Sequence, residues 1–218
     1  MLQQSTISFL SELALNNNKP WFDEHRDIYE KGKKDFEVLV STIIKELAII
    51  EPGFKEQLAK DCIFRIFRDV RFSKDKTPYK ANFGAGFSSR GKNFTGAGYY
   101  LHLEPGKSFV GGGLWQPEAP LLKAIRQEID YNFNEFKEII ENEDFKQKFQ
   151  HINGERLQTN PKGYAADNPA IEFLKFKSFT VSSPIDDKTL CTNELITNCI
   201  DAFSKMKGFI AFLNKSLQ

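Results

Sequence analysis

The sequence is poor in the residues that build covalent or metal frameworks. It has three cysteines, at 62, 191 and 199, and three histidines, at 25, 102 and 151. No two cysteines form a C-x-x-C pair, and an odd, sparse set fits a reducing cytoplasm rather than a disulfide scaffold. The histidines are too scattered for a zinc site, so no metal is expected. No apolar run approaches the roughly 20 residues that cross a bilayer, so no membrane partner is expected. The opening MLQQSTISFLSEL lacks a basic stretch and a small-residue cleavage site, so no secretory leader is expected either.

Catalytic motifs are missing as well. PGKS at 105 to 108 ends like a phosphate-binding loop, but Leu101 stands where the first glycine belongs. GGG at 111 to 113 has no G-x-S-x-G elbow to serve, and a bulge or close packing beneath Trp115 accounts for it better. No G-x-G-x-x-G, H-E-x-x-H or calcium-loop spacing occurs. Nothing in the pattern names a cofactor.

What is present is a globular composition: 218 residues, 40% hydrophobic, 27% charged, with 21 phenylalanines. That supports an aromatic-rich core and one domain spanning residues 1–218. STISFLSELALNN reads as an amphipathic helix. Asn18 with Pro20 caps a second helix, along which Phe36, Leu39, Val40, Ile43, Leu47 and Ile50 recur at helical spacing until EPG at 51 to 53. The period then changes to two. Residues 62 to 72, 79 to 87, 97 to 104 and SFVGGGLW read as four strands, with SSRGKN as a hairpin loop. Helices return after Pro117. NPKGYAADNP at 160 to 169 is a loop, and EFLKFKSFTVSSPI holds a short helix and then an extended segment. The tail, Asn193 to Leu217, reads as two helices broken near Lys207 and Gly208. The expected class is α+β: a four-stranded antiparallel meander over about 62–116, packed against N- and C-terminal helices.

The charge is uneven. The whole chain carries +1, yet residues 60 to 92 hold nine Lys or Arg against three Asp. The densest part is RIFRDVRFSKDKTPYK, residues 65 to 80, with six cations and two aspartates. Two readings compete. In one, Arg65, Asp69 and Arg71 form a scaffold of ion pairs, each exposed pair contributing at most about 1 kcal/mol. In the other, the arginines fork onto carboxylate or phosphate oxygens. Arg68 favours a site, because it falls on the apolar parity of its strand and needs a partner such as Asp75 or Asp69. A bulge that turns Arg68 outward solves the same problem. Phe64, Phe67, Phe72 and Tyr79 interleave with the cations. By parity Phe64, Phe72 and Tyr79 are assigned to the core rather than to base stacking. On the next strand Lys80, Asn82, Gly84, Gly86 and Ser88 share the outward parity, and on the third Tyr100, His102 and Glu104 do, which puts His102 on the same face as the arginines if the strands are neighbours.

The stretch from 65 to 79 resembles the signature R-x-x-R-D-x-R-F-x-x-[DN]-K-x-x-Y, matched at Arg65, Arg68, Asp69, Arg71, Phe72, Asp75, Lys76 and Tyr79. That signature defines a bacterial family of conserved hypothetical proteins, with fungal relatives, of unknown function. FLSELALNNNKPWFDEHRDIY, YYLHLEPGKSFVGGGLWQPE and NPKGY extend the likeness along the chain. The resemblance implies a single-domain bacterial protein in which the motif is a defining feature. It implies no substrate.

The residues themselves point to a small anionic ligand bearing phosphate or carboxylate, with hydrolase or transferase chemistry as an extension. Arg65, Arg68, Arg71 and Lys76 would bind it, with Tyr79 and Lys80 lining the site. Asp69 and Asp75 would orient the cations or act as acid or base, and His102 would shuttle protons. Nucleic-acid binding through the same patch is disfavoured by the near-neutral total charge. A purely structural salt-bridge clip is the third possibility.

Overall fold

The computed structural model describes residues 1–90, 94–215 and 217. The class is α+β, with a four-stranded antiparallel sheet and helices toward both ends of the chain. The strands are β1 (Phe83–Phe87), β2 (Gly98–Leu103), β3 (Phe109–Leu114) and β4 (Phe179–Pro184), paired in that order.

One strand is not where the alternation placed it. The meander over 62–116 supplies only three of the four, and residues 62 to 72 are not a strand. Ala59–Cys62 is a short helix, α4, and the chain beyond it makes only isolated antiparallel bridges, Ile63 to Ala85 and Phe67 to Tyr79. Three residues separate the bridges on one side and five on the other, so this ribbon carries two extra residues and cannot hold a ladder. The fourth strand is the extended segment at 179 to 184, whose Phe179, Val181 and Ser183 are buried in alternation. That neighbour explains Gly111 and Gly113, whereas Gly112 is crowded by the Met206 sulfur and the Gly98 carbonyl. A Cβ on Gly113, which sits at φ +120°, would lie 2.0 Å from the Phe179 carbonyl oxygen.

The chain divides into two compact units. The first comprises Met1–Lys92, Tyr100–Val110 and Pro184–Asp201. In it, α1 (Gln4–Leu15) packs on the long α3 (Arg26–Ile50) through Phe9, Leu10 and Leu13. Between them lies α2 (Lys19–Glu24), whose Asn18 cap accepts a bond from the Trp21 amide at 3.1 Å. The helix read as continuous from Asn18 to Ile50 is therefore two, interrupted at His25. Phe36 of α3 stacks on Phe83 of β1 at 5.3 Å, which fixes the sheet against the helix.

The second unit comprises Asn93–Tyr99, Gly111–Ser183 and Ala202–Gln218. Helices α5 (Ala119–Tyr131), α6 (Phe133–Glu141), α7 (Glu143–Phe149) and α8 (Ile171–Leu174) belong to it. Phe136, Phe145, Phe209 and Phe212 form its aromatic centre. The C-terminal helix α9 (Glu194–Lys215) runs without a break through Gly208, against the two-helix expectation. One glycine weakens a helix by about 1 kcal/mol relative to alanine. The buried Phe203, Met206, Phe209, Ile210 and Leu213, at helical spacing, outweigh that. The expected hairpin loop at SSRGKN falls partly on residues 91 to 93, outside the described residues.

Candidate functional site

Every candidate residue lies in the first unit. The ribbon after α4 brings Arg68 beside Pro78, whose carbonyl accepts the Arg68 amide at 2.9 Å, and the Ile66 carbonyl accepts the Lys80 amide at 2.8 Å. Residues 69 to 77 form the loop that the Arg68–Pro78 bond closes.

The loop closes on itself. Arg68 Nη1 meets Asp75 Oδ2 at 2.5 Å and also donates to the Thr77 carbonyl at 3.2 Å and to the Thr77 hydroxyl. Asp75 additionally accepts the Thr77 amide at 2.9 Å. The Thr77 amide, Arg68 and the Thr77 hydroxyl together hold the Asp75 carboxyl down at about 2. Arg71 grips Asp69 with two parallel bonds, Nε to Oδ1 at 2.9 Å and Nη2 to Oδ2 at 2.7 Å. That pairing lowers the Asp69 carboxyl below the usual carboxylate range. Lys76 Nζ donates to the Val70 carbonyl at 3.0 Å. Arg68 thus finds Asp75, one of the two partners its parity demanded.

Tyr79 is buried, its ring 4.0 Å from Phe22 and nearly parallel to it. Asn17 clamps its backbone from both sides: the Tyr79 amide donates to Asn17 Oδ1 at 3.1 Å, and Asn17 Nδ2 donates to the Tyr79 carbonyl at 2.9 Å. Arg26 pairs with Asp23 at 2.6 Å, and His25 stacks on Trp21 at 4.0 Å. The core assignment holds for Tyr79 and fails for two other rings. Phe64 is 51% exposed and Phe72 96% exposed, because the ribbon that would have turned them inward never becomes a strand. Phe67, at 44% exposure, leans on Phe22 and Tyr79.

Three cations of the stretch, Arg65, Lys74 and Lys80, stand apart from these pairings, although the charge of Arg65 still helps to lower the Asp69 carboxyl. Among the described residues Arg65 and Lys80 make no ion pair and no side-chain hydrogen bond. Lys80 rests over the Phe64 ring at 5.7 Å, and Phe64 in turn meets Tyr100 at 6.0 Å. Burial and then the charge of Arg65 push the Lys80 ammonium below its ordinary value.

Beyond Phe64, Tyr100 and His102 of β2 and Glu104, the residue that follows the strand, form a polar row of one parity. Tyr100 Oη lies 3.1 Å from His102 Nδ1, and His102 Nε2 lies 3.0 Å from Glu104 Oε2. Asn82 Nδ2 approaches the same Nδ1 at 3.4 Å, and Lys107 reaches Glu104 Oε1 at 3.1 Å. The imidazole stacks on Phe109 at 4.8 Å, which sets its plane. A carboxylate accepts only, so the neutral ring carries its proton on Nε2 and turns the Nδ1 lone pair to the phenol. Burial opposes ionisation of Glu104, but the bonds from His102 and Lys107 outweigh it and hold the carboxyl below its ordinary value. Burial, and then Glu104, raise the Tyr100 phenol.

The structure brings Asp69 to Arg71, Asp75 to Arg68 and His102 to Glu104. It gives no contact between His102 and either aspartate. The sequence signal for the β2 row was its parity, and Asn82 shares a parity with Lys80. The Asn17 clamp joins residues 62 positions apart and has no local signal. Two clefts open elsewhere: one lined by Trp115, Leu122 and Lys177, the other by Lys45, Phe54 and Leu58. Neither includes a residue of 65 to 80. Among the described residues no group of three or more His, Cys, Asp or Glu could hold a metal ion, and no helix is long and apolar enough to cross a membrane.

An antiparallel sheet flanked by helices, with a self-paired cationic loop beside one edge, defines the class. Residues 5–212 match the model of the family described as Conserved hypothetical protein (DUF2461), and the chain belongs to that family. No curated protein and no solved structure matches it.

Proposed function

We propose that the protein binds a small anionic ligand, bearing phosphate or carboxylate, against Arg65 and Lys80. The observation that carries this reading is the pair itself. Two neighbouring cations repel, and one of them is already partly desolvated. An anion between them relieves both penalties. Arg68, Arg71 and Lys76 then act differently from Arg65. They shape the loop that borders the site, with Asp69 and Asp75 as their internal counter-charges. Tyr79 anchors the loop to Phe22.

Inorganic phosphate at about 100 times its dissociation constant stabilises a binding protein by roughly 2.7 kcal/mol. Thermal unfolding should show that gain in the native protein and lose it in Arg65→Ala and in Lys80→Ala, with Arg68→Ala retaining it. Equal phosphate stabilisation in all four proteins would sink the reading.

A second reading is favoured by one specific observation, the exposure of Phe64, Phe67 and Phe72 among cations. Exposed rings alternating with positive charge suit single-stranded nucleic acid. That reading calls for steep weakening of oligonucleotide binding with salt, measured by fluorescence polarisation at two salt concentrations. A shallow salt response, or no binding, removes it.

A further inference from the structure

We propose that Tyr100 is a nucleophile: a phenol activated by His102, with Glu104 as the positioning residue behind it, acting on a phosphate ester. The proposal rests on the anion reading for the placement of the phosphoryl group. The chemistry of the row itself stands on geometry independent of it.

The arrangement is a carboxylate, an imidazole and a hydroxyl in sequence, at 3.0 and 3.1 Å. Tyr100 and His102 share one face of β2, aligned by its pleat, and Glu104 follows the strand in the turn that Ser108 holds through the Glu104 amide and carbonyl. The imidazole is fixed by Phe109 on its face and Glu104 on its edge, so it cannot rotate its basic nitrogen away from the phenol. The Tyr100 oxygen lies close over the Gly84 backbone, where a Cβ would fall 2.7 Å from it. The absence of a side chain at 84 leaves the phenol room to sit there. Phe64 connects this row to Lys80, so the proposed anion pair and the phenol flank one aromatic ring.

The structural alternative is a hydrogen-bonded ladder on a strand face. A ladder has no need of a base behind the phenol, and burial makes a free phenolate scarce here. The proton must therefore leave as the new bond forms. The Tyr100 oxygen forms a bond to phosphorus while the bond from phosphorus to the ester oxygen breaks. The phenol proton passes to His102 Nδ1, and the resulting imidazolium, held by the Glu104 carboxylate, returns that proton to the departing alkoxide. Water then cleaves the tyrosyl phosphate, releasing inorganic phosphate and restoring the phenol.

An aryl sulfonyl fluoride tests the activation without a known substrate. The phenol oxygen bonds to sulfur, fluoride leaves, and the proton goes to the neighbouring base. Of the six tyrosines, Tyr100 should be labelled fastest, ahead of the well exposed Tyr131, as read by peptide mass spectrometry. His102→Gln should slow Tyr100 labelling roughly 100-fold, within the range typical of general-base assistance. Glu104→Gln should slow it less. Added imidazole should restore labelling in His102→Ala, which a merely structural histidine would not allow. Tyr100 labelling no faster than Tyr131, or unaffected by His102→Gln, overturns the proposal. Inorganic phosphate should protect Tyr100 in the native protein and not in Arg65→Ala. Labelling that depends on His102 but ignores phosphate would overturn the anion reading while supporting the activated phenol.

Discussion

Two polar regions of the first unit differ in how their charges end. Among the described residues, the loop at 69 to 77 pairs both its aspartates and every cation but Lys74 internally. Asp69 and Asp75 each meet an arginine, and Lys76 meets a carbonyl. The row on β2 stays open. It runs from Lys107 through Glu104 and His102 to a phenol with a base behind it. The loop has the greater density of charge, and the row joins a carboxylate, an imidazole and a phenol by hydrogen bonds. Density of charge marks where a chain has ions to arrange. A group poised with a donor or acceptor in reserve marks where chemistry can occur.

The sharpest way to break the contrast is to remove the anchor on which the loop depends. Phe22 is fully buried and touches Phe9, Tyr29, Phe67 and Tyr79. Phe22→Ala should destabilise the protein by about 3–5 kcal/mol, the range for truncating a buried phenylalanine. Chemical denaturation measures it. A loss under about 1 kcal/mol would mean that Tyr79 and the loop stay put without the ring beneath them.

Gly84→Ala acts on the other region. The new methyl collides with the Tyr100 hydroxyl, the far end of a side chain that can swing aside. The stability cost should be only about 1 kcal/mol, the low end for overpacking. The effect on the row should be larger: the phenol leaves His102, and base-dependent labelling of Tyr100 disappears. Unchanged labelling would show that the 3.1 Å contact is not what activates the phenol.

These contrasts also show what the sequence made legible. Parity identified the β2 row correctly, because a regular strand in a sheet obeys a period of two. The same rule misassigned 62 to 72, because two extra residues opposite that segment prevent a ladder. Phe64 and Phe72 were lost to the core with it. Arg68 broke the apolar parity, and that local conflict correctly demanded a partner, which Asp75 supplies. The fourth strand was read as extended but could not be placed in the sheet, since its neighbour lies some 70 residues away across four helices. The Gly208 break was read from propensity alone, which burial along α9 overrides.

A smaller effect separates loop from row by acidity. The Asp75 carboxyl is lowered from 3.8 to about 2 in the folded protein. A depressed carboxyl contributes stability that is present above its unfolded value and lost as pH falls through its folded one. The amides of residues 69 to 77 should therefore keep their exchange protection down to about pH 4 and lose it between there and about pH 2. Asp75→Asn and Arg68→Ala should both show that loss already at neutral pH, with the sheet amides unaffected. Loop protection that ignores pH over this window would mean the clip does not hold the loop.

The smallest expected effect is at Phe72. The loop holds this ring 96% exposed, with the Arg71 guanidinium 5.8 Å from its centre. So exposed a ring buries almost nothing, and Phe72→Ser should change stability by no more than about 0.5 kcal/mol, as surface substitutions do. Phosphate stabilisation should also be unchanged, since Arg65 and Lys80 lie on the ribbon rather than in the loop. The variant is informative because the two functional readings differ here. Base stacking contributes about 1–3 kcal/mol per base. If the loop serves single-stranded nucleic acid, Phe72→Ser should weaken oligonucleotide binding by that much while leaving fold and anion response intact. If oligonucleotide binding is absent or indifferent to Phe72, base stacking at the loop is ruled out, and the choice left is between the anion reading, decided at Arg65 and Lys80, and a loop whose ion pairs serve the fold alone.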